Sequence, residues 1–235
     1  AVLKVFDNIK PLEKKVSNLF KHIKYYFPLT KIPQVITLTN NVDYQIKTVY
    51  ADSLLLISLD TFLGSDNILY EGIPNYIRKE LDQKYIPSQI VEKFSAYVIP
   101  PLDNRTFLAH MLYEGKKLFL QDLLLPHYED NMKIAYSKNE LDWVIKNEVY
   151  IWKFFIEKQL LYSTDIELVE RFIEPAPFSK FYLQLDNESP GKIGRWIGWQ
   201  IIRSFREQNP DFPLQKLLNM SSQKIFNQSR YKPKQ

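Results

Sequence analysis

No cysteine occurs in the 235 residues. That excludes disulfides, thiolate zinc sites and cysteine nucleophiles, although it does not identify a compartment, since a reduced cytosol and a disulfide-free periplasm both fit. Glycine is scarce, at six residues, which favours packed helices over glycine-rich phosphate loops. No G-x-S-x-G, Walker or G-x-G-x-x-G motif is present. No apolar run approaches the ~20 residues of a membrane-spanning helix, and no signal peptide is visible. A strong charge imbalance is also missing. The net charge is +4, with lysines gathered towards both ends but diluted by acids, which argues against a nucleic-acid-binding face.

What is abundant is apolar and aromatic. Hydrophobic residues make up 45% of the chain, and Tyr and Phe contribute 15 each, enough for a substantial core in a chain of this length. Residues 7–27 read as an amphipathic helix ended by Pro28, with Val16, Leu19, Phe20 and Ile23 on its buried face. QVITLT (34–39), KTVYA (47–51) and SLLLISLD (53–60) read as short strands, and the run 54–59, apolar at nearly every position, suits a central one. Beyond Gly64 the pattern is helical. Short helices are expected at 74–81 and 88–97, and a longer one over 105–126, where Asp103 or Asn104 is available as its cap. S-K-N-E at 137–140 is a capping box opening a helix over about 138–161. A further helix follows Pro190 and Gly191. The expected fold is α+β: a mostly helical single domain over 1–235 with a small N-terminal sheet.

The helix over 105–126 carries the most chemistry. Leu108, Met111, Leu112, Gly115, Leu118 and Phe119 would bury one face, and His110, Glu114, Lys117 and Gln121 form a stripe beside it. Zinc hydrolases place H-E-x-x-H on such a helix, with two histidine ligands one turn apart and a glutamate base between them. Here the five residues are His110, Met111, Leu112, Tyr113 and Glu114. The base position holds a thioether, so no residue is assigned as catalytic. A metal could still be held by His110 and Glu114 with Glu148 from the next long helix, and zinc would then be the cofactor of a metal-dependent hydrolase. Pairing of Glu114 with Lys117, or with His110 itself, is the plainer reading, and it leaves the protein without a cofactor. His22 and His127 read as helix-face and helix-end residues. Gly191, Gly194 and Gly198 lie in a helical pattern between bulky residues, a spacing that permits close helix crossing. Two stretches combine irregular backbone with aromatics and suit a partner surface: residues 59–72 with Asp66, Tyr70 and Glu71, and residues 181–196 with Glu188, Arg195 and Trp196.

Long strings of the sequence, in order, carry a family resemblance: VITLTNNVDYQIKTVYADSLLLISLDTFLG, YEGIPNYI, DNRTFLAHMLYEGK, LLLP, FIEKQLLYSTD and PAPFSKFYLQLDNESPGKIGRWIGWQIIRSF. Together they resemble the gliding motility-associated lipoprotein GldB family of Bacteroidetes, over nearly the whole chain. The resemblance implies a lipid-anchored cell-envelope protein facing the periplasm, with its lipid on a cysteine upstream of Ala1. It also implies partners in the gliding and type IX secretion machinery, and a distant zincin-like ancestry. His110 and Glu114 then occupy the remains of a zinc motif. The implied role is a non-catalytic scaffold or partner-binding module, and the alternative is a peptidase-like metallohydrolase of the envelope.

Overall fold

The computed structural model describes residues 1–51, 53–182 and 186–233. Its contacts gather the chain into two compact units: Ala1–Ser95 with Gln121–Ala135, and Ala96–Leu120 with Tyr136–Gln235. The architecture is α+β and mostly helical, with one three-stranded sheet among the described residues.

The first unit opens with α1 (Val2–Val5) and α2 (Lys10–Tyr26). Pro11 sits in the first turn of α2, where its missing N–H costs nothing. Leu12, Val16, Leu19, Phe20 and Ile23 recur at helical spacing and are buried, so the amphipathic pattern translates directly into a core face. Strands β1 (Gln34–Leu38), β2 (Thr48–Ala51) and β3 (Leu54–Ser58) follow. The order is β1-β3-β2, with β3 parallel to β1 and antiparallel to β2. The apolar run therefore is the central strand. Leu55 and Ile57 are fully buried, whereas Leu54 and Leu56 on the other face are half-buried. Phe94 of α4 (Ile86–Val98) meets Phe27 edge-on at 5.3 Å and Tyr50 of β2 at 5.6 Å, which ties a helix to the sheet through ring contacts.

Asp60 organises the loops of this unit. Its buried carboxylate accepts hydrogen bonds from the backbone N–H of Asn40 (3.1 Å) and Val42 (2.9 Å). Both Asn41 and Val42 have left-handed φ, near 60°. A β-branched residue tolerates that conformation poorly, so the carboxylate holds a turn the chain would otherwise leave. The Asp60 carbonyl accepts from the Tyr70 hydroxyl (2.9 Å), which itself accepts from Leu63 N (2.7 Å). Burial, reinforced by Asp60 and Asp82, pushes the phenol pKa up to about 12 against the opposing Leu63 bond. Short helices α3 (Asn75–Arg78) and α6 (Asp130–Ile134) complete the unit.

The second unit is built on α5 (Phe107–Leu124, its last turn assigned to the first unit), α7 (Lys138–Glu157), α8 (Glu167–Phe172), α9 (Ile193–Gln208), α10 (Leu214–Asn219) and α11 (Ser222–Ser229). The capping box forms at α7: Glu140 N donates to Ser137 Oγ and Ser137 N to the Glu140 carboxylate. The helix ends at Glu157, a turn earlier than the sequence suggests, as Gln159 turns to φ 54°. Phe107, Phe155 and Phe172 pack with centroids 5.1–5.8 Å apart and form the aromatic centre of the unit.

The glycine stripe has a steric cause. A methyl group on Gly198 would collide with the Met111 carbonyl, and one on Gly115 would collide with the backbone of Gly198 and Trp199. Helices α5 and α9 therefore cross backbone to backbone. A methyl group on Gly191 would meet the Ala176 backbone, and one on Gly194 the Ile173 side chain and the Phe172 carbonyl. The expected close crossing is observed at Gly198, with Gly115 as the partner, whereas Gly191 precedes α9 and is not part of its helical stripe.

Candidate functional site

The α5 stripe leads to a charged cluster in the second unit. Glu114 is buried, and both of its oxygens are engaged. Oε1 accepts from Lys117 Nζ at 2.6 Å, and Oε2 forms an ion pair with Arg195 Nη1 at 3.1 Å. Arg195 is itself fixed by Nε donating to the Ile173 carbonyl (2.6 Å), and its Nη2 stands 3.9 Å from Glu174. The close α5–α9 crossing brings Arg195 within reach. Burial opposes the charge on Glu114, but Arg195 and then Lys117 outweigh it and hold the carboxyl below its usual value. His110, one turn earlier, is half-buried. Burial lowers its pKa against the pull of Glu114 and Glu174, which favours the neutral imidazole.

Glu148 belongs to a different cluster. From α7 its Oε2 accepts from Trp196 Nε1 (2.9 Å) and its Oε1 from the Tyr231 hydroxyl (2.8 Å), all three side chains being buried. Tyr231 also meets Trp152 edge-on at 5.1 Å. Burial and then the Glu148 charge raise its pKa. Tyr231→Phe should cost about 1–3 kcal/mol, because a buried carboxylate oxygen would lose its donor. Chemical denaturation measures this, and an unchanged midpoint would mean that solvent already serves that oxygen.

The trio of His110, Glu114 and Glu148 is thus not assembled as a metal site. Glu114 is committed to two cations and Glu148 to two neutral donors. Among the described residues no group of three or more His, Asp or Glu is placed to hold a metal ion. His22 Nδ1 lies 3.0 Å from the Leu124 carbonyl, and His127 is exposed.

The two nominated partner stretches fall in different units, and their residues divide. Asp66, Glu71 and Glu188 are exposed. Tyr70 is fully buried, with its hydroxyl committed to Asp60 and Leu63, so it supports the loop and does not face a partner. Trp196 is buried on Glu148, and Arg195 is committed to Glu114. Two residues between Asp66 and Glu71 also face outward and were not nominated. Ile68 is 80% exposed and Leu69 49%. Their position between Asn67, which caps the short turn by accepting from Leu69 N, and the anchoring Tyr70 was the available signal.

Lys116 was missed as well. It is buried and donates to the carbonyls of Leu218 (2.8 Å) and Met220 (2.9 Å). Burial pushes its pKa down to about 8 despite Asp103. Asp103 does not cap α5. It accepts from the Ser222 backbone N–H and hydroxyl, fixing the start of α11, while Thr106 Oγ1 accepts from Ala109 N at the start of α5.

Among the described residues no helix is long and apolar enough to cross a membrane. The family model described as "Gliding motility protein GldB" matches residues 1–233. No curated protein and no solved structure matches.

Proposed function

Because the chain belongs to the gliding motility protein GldB family, a family of motility lipoproteins, we propose that it is a non-catalytic partner-binding module of the gliding and type IX secretion machinery, held at the membrane by lipid and facing the periplasm. The observation that carries this reading is the loop over 64–72. Gly64 and Gly72, both at positive φ, bound it. Gly64 N donates to the Leu81 carbonyl, and Tyr70 is pinned beneath. On this fixed base stand Ile68 and Leu69, exposed between the acidic Asp66 and Glu71. Apolar residues held outward by a rigid loop, inside a polar rim, are the composition of a protein contact. Met111 in the base position and the commitment of Glu114 to Arg195 and Lys117 support a role without catalysis.

The test is replacement of the native copy in gliding cells. Ile68→Ser with Leu69→Ser, and separately Asp66→Lys with Glu188→Lys, should abolish gliding and secretion while the protein accumulates normally. Exposed substitutions of this kind change stability by under about 0.5 kcal/mol, so a lost phenotype reports on a partner. Full motility in both strains would remove these surfaces from consideration.

A further inference from the structure

Within the second unit, α7 and α9 border an open cleft of about 1120 Å³. Its two walls differ in chemistry. From α7, Ile145, Val149 and Tyr150 present apolar surface at i, i+4 and i+5, and all three are solvent-exposed, Tyr150 at 70%. From α9 come Arg203 and Arg206, one turn apart, joined on the lining by Lys146 and Lys232. The acids of the lining are Glu148 and Glu207, and Glu148 lies under its Trp196 and Tyr231 donors. The arginines are held in place: Arg203 stacks 3.8 Å from the Trp199 ring centroid, and Arg206 donates to the Phe212 carbonyl. Also on the lining is Gln200, whose buried Nε2 has no acceptor among the described residues.

From this pairing of walls we propose that the cleft seats an acidic segment of a partner protein, with aromatic or aliphatic side chains against Ile145, Val149 and Tyr150 and carboxylates facing Lys146, Arg203, Arg206 and Lys232. Charge complementarity selects an anion, since basic side chains outnumber carboxylates on the lining. Size selects a chain segment: pockets for small molecules run to about 300–1,000 Å³ and enclose their ligand, whereas this apolar surface lies open at the rim. A tyrosine at the rim beside a guanidinium row is the pairing that dominates protein contacts. This site deepens the partner-binding reading and rests on it.

The test uses the whole chain and fluorescein-labelled short peptides of alternating glutamate and phenylalanine, lysine and phenylalanine, or glutamate and serine, read by fluorescence anisotropy at low and high salt. The glutamate–phenylalanine peptide should bind, more weakly at high salt, and the other two should not. Lys146→Glu with Lys232→Glu, and separately Val149→Asp with Tyr150→Ser, should each weaken binding by about tenfold or more, a factor that corresponds to ~1.4 kcal/mol, with thermal melts unchanged. No binding, equal binding of the lysine peptide, or undiminished binding by both variants would overturn the proposal. So would binding of oleate in place of the peptide, which would make the cleft a fatty-acid site. Failure here leaves the partner-binding reading standing if the strains altered at Ile68 and Leu69 are immotile. Full motility of those strains, with peptide binding intact, would instead leave the cleft standing and remove the loop.

Discussion

Gly198→Leu should destabilise the protein by about 3 kcal/mol or more, at the upper end of what overpacking costs. The reason is the nature of the obstacle. The first atom of any side chain at 198 meets the Met111 carbonyl, which is backbone of α5 and has no rotamer to move into. Relief requires the two helices to separate, and with them the rows of buried side chains on α9: Trp196, Ile197, Trp199, Ile201 and Ile202. Gly198→Ala should already carry much of the loss. Gly115→Ala tests the same crossing from the other side, because its added methyl would meet Gly198 and Trp199. The two alanine effects should not add, since separating the helices once relieves both. Urea unfolding of the three variants is the measurement. A neutral Gly198→Leu would refute the backbone contact.

Glu114→Ala should cost about 3 kcal/mol, because it leaves Arg195 and Lys117 facing each other with no carboxylate between them. Removing one partner of a buried pair costs roughly 3–5 kcal/mol, and the residual exposure of 11% for Glu114 and 17% for each cation places this cluster at the lower end. The pH dependence has a definite sign. The Glu114 carboxyl is held below its usual value of 4.5, so its contribution is present above that pH and is lost as the pH falls through the lower folded value. The His110 imidazole is also held below its usual value of 6.5. Below 6.5 the unfolded chain takes up that proton more readily than the folded one, so the fold weakens there too. Stability should therefore decline on acidification in two stages. Glu114→Ala should start lower and lose the stage below about 4.5. Parallel acid limbs for the variant and the parent would contradict the pairing.

The sequence disclosed features whose causes are local. Ser137 and Glu140 are three residues apart and cap each other without help from elsewhere. The run 54–59 is apolar at every position but Ser58, as its central strand requires. The Gly191, Gly194 and Gly198 spacing marks a close approach, though not its partner, since Gly115 reads as one small residue on an otherwise apolar face. Features set by distant parts of the chain stayed hidden. Asp103 stands where a cap for α5 is expected, yet it serves Ser222, 119 residues away. Glu148 has the spacing of a third metal ligand, but its orientation follows from Trp196 and Tyr231, and Tyr231 sits in a basic tail that gives no hint of burial. Tyr70 resembles a surface aromatic because it sits in an irregular stretch beside Glu71 and Gly72, while the groups that engage its hydroxyl come from Asp60 and Leu63. The His110–Glu114 spacing was legible. That Glu114 would be taken up by a cation on another helix was not, because Arg195 reads as one polar residue among bulky ones.

The α5–α9 crossing also bears on how this unit would carry load. Most packed helices meet through a layer of side chains that can change rotamer and let the elements slide by an ångström or two. At Gly115 and Gly198 that layer is absent, so the crossing has a single register and no soft intermediate positions. Tension applied across it would be borne without creep until the contact parted as a whole. The two helices would then move as one stiff body.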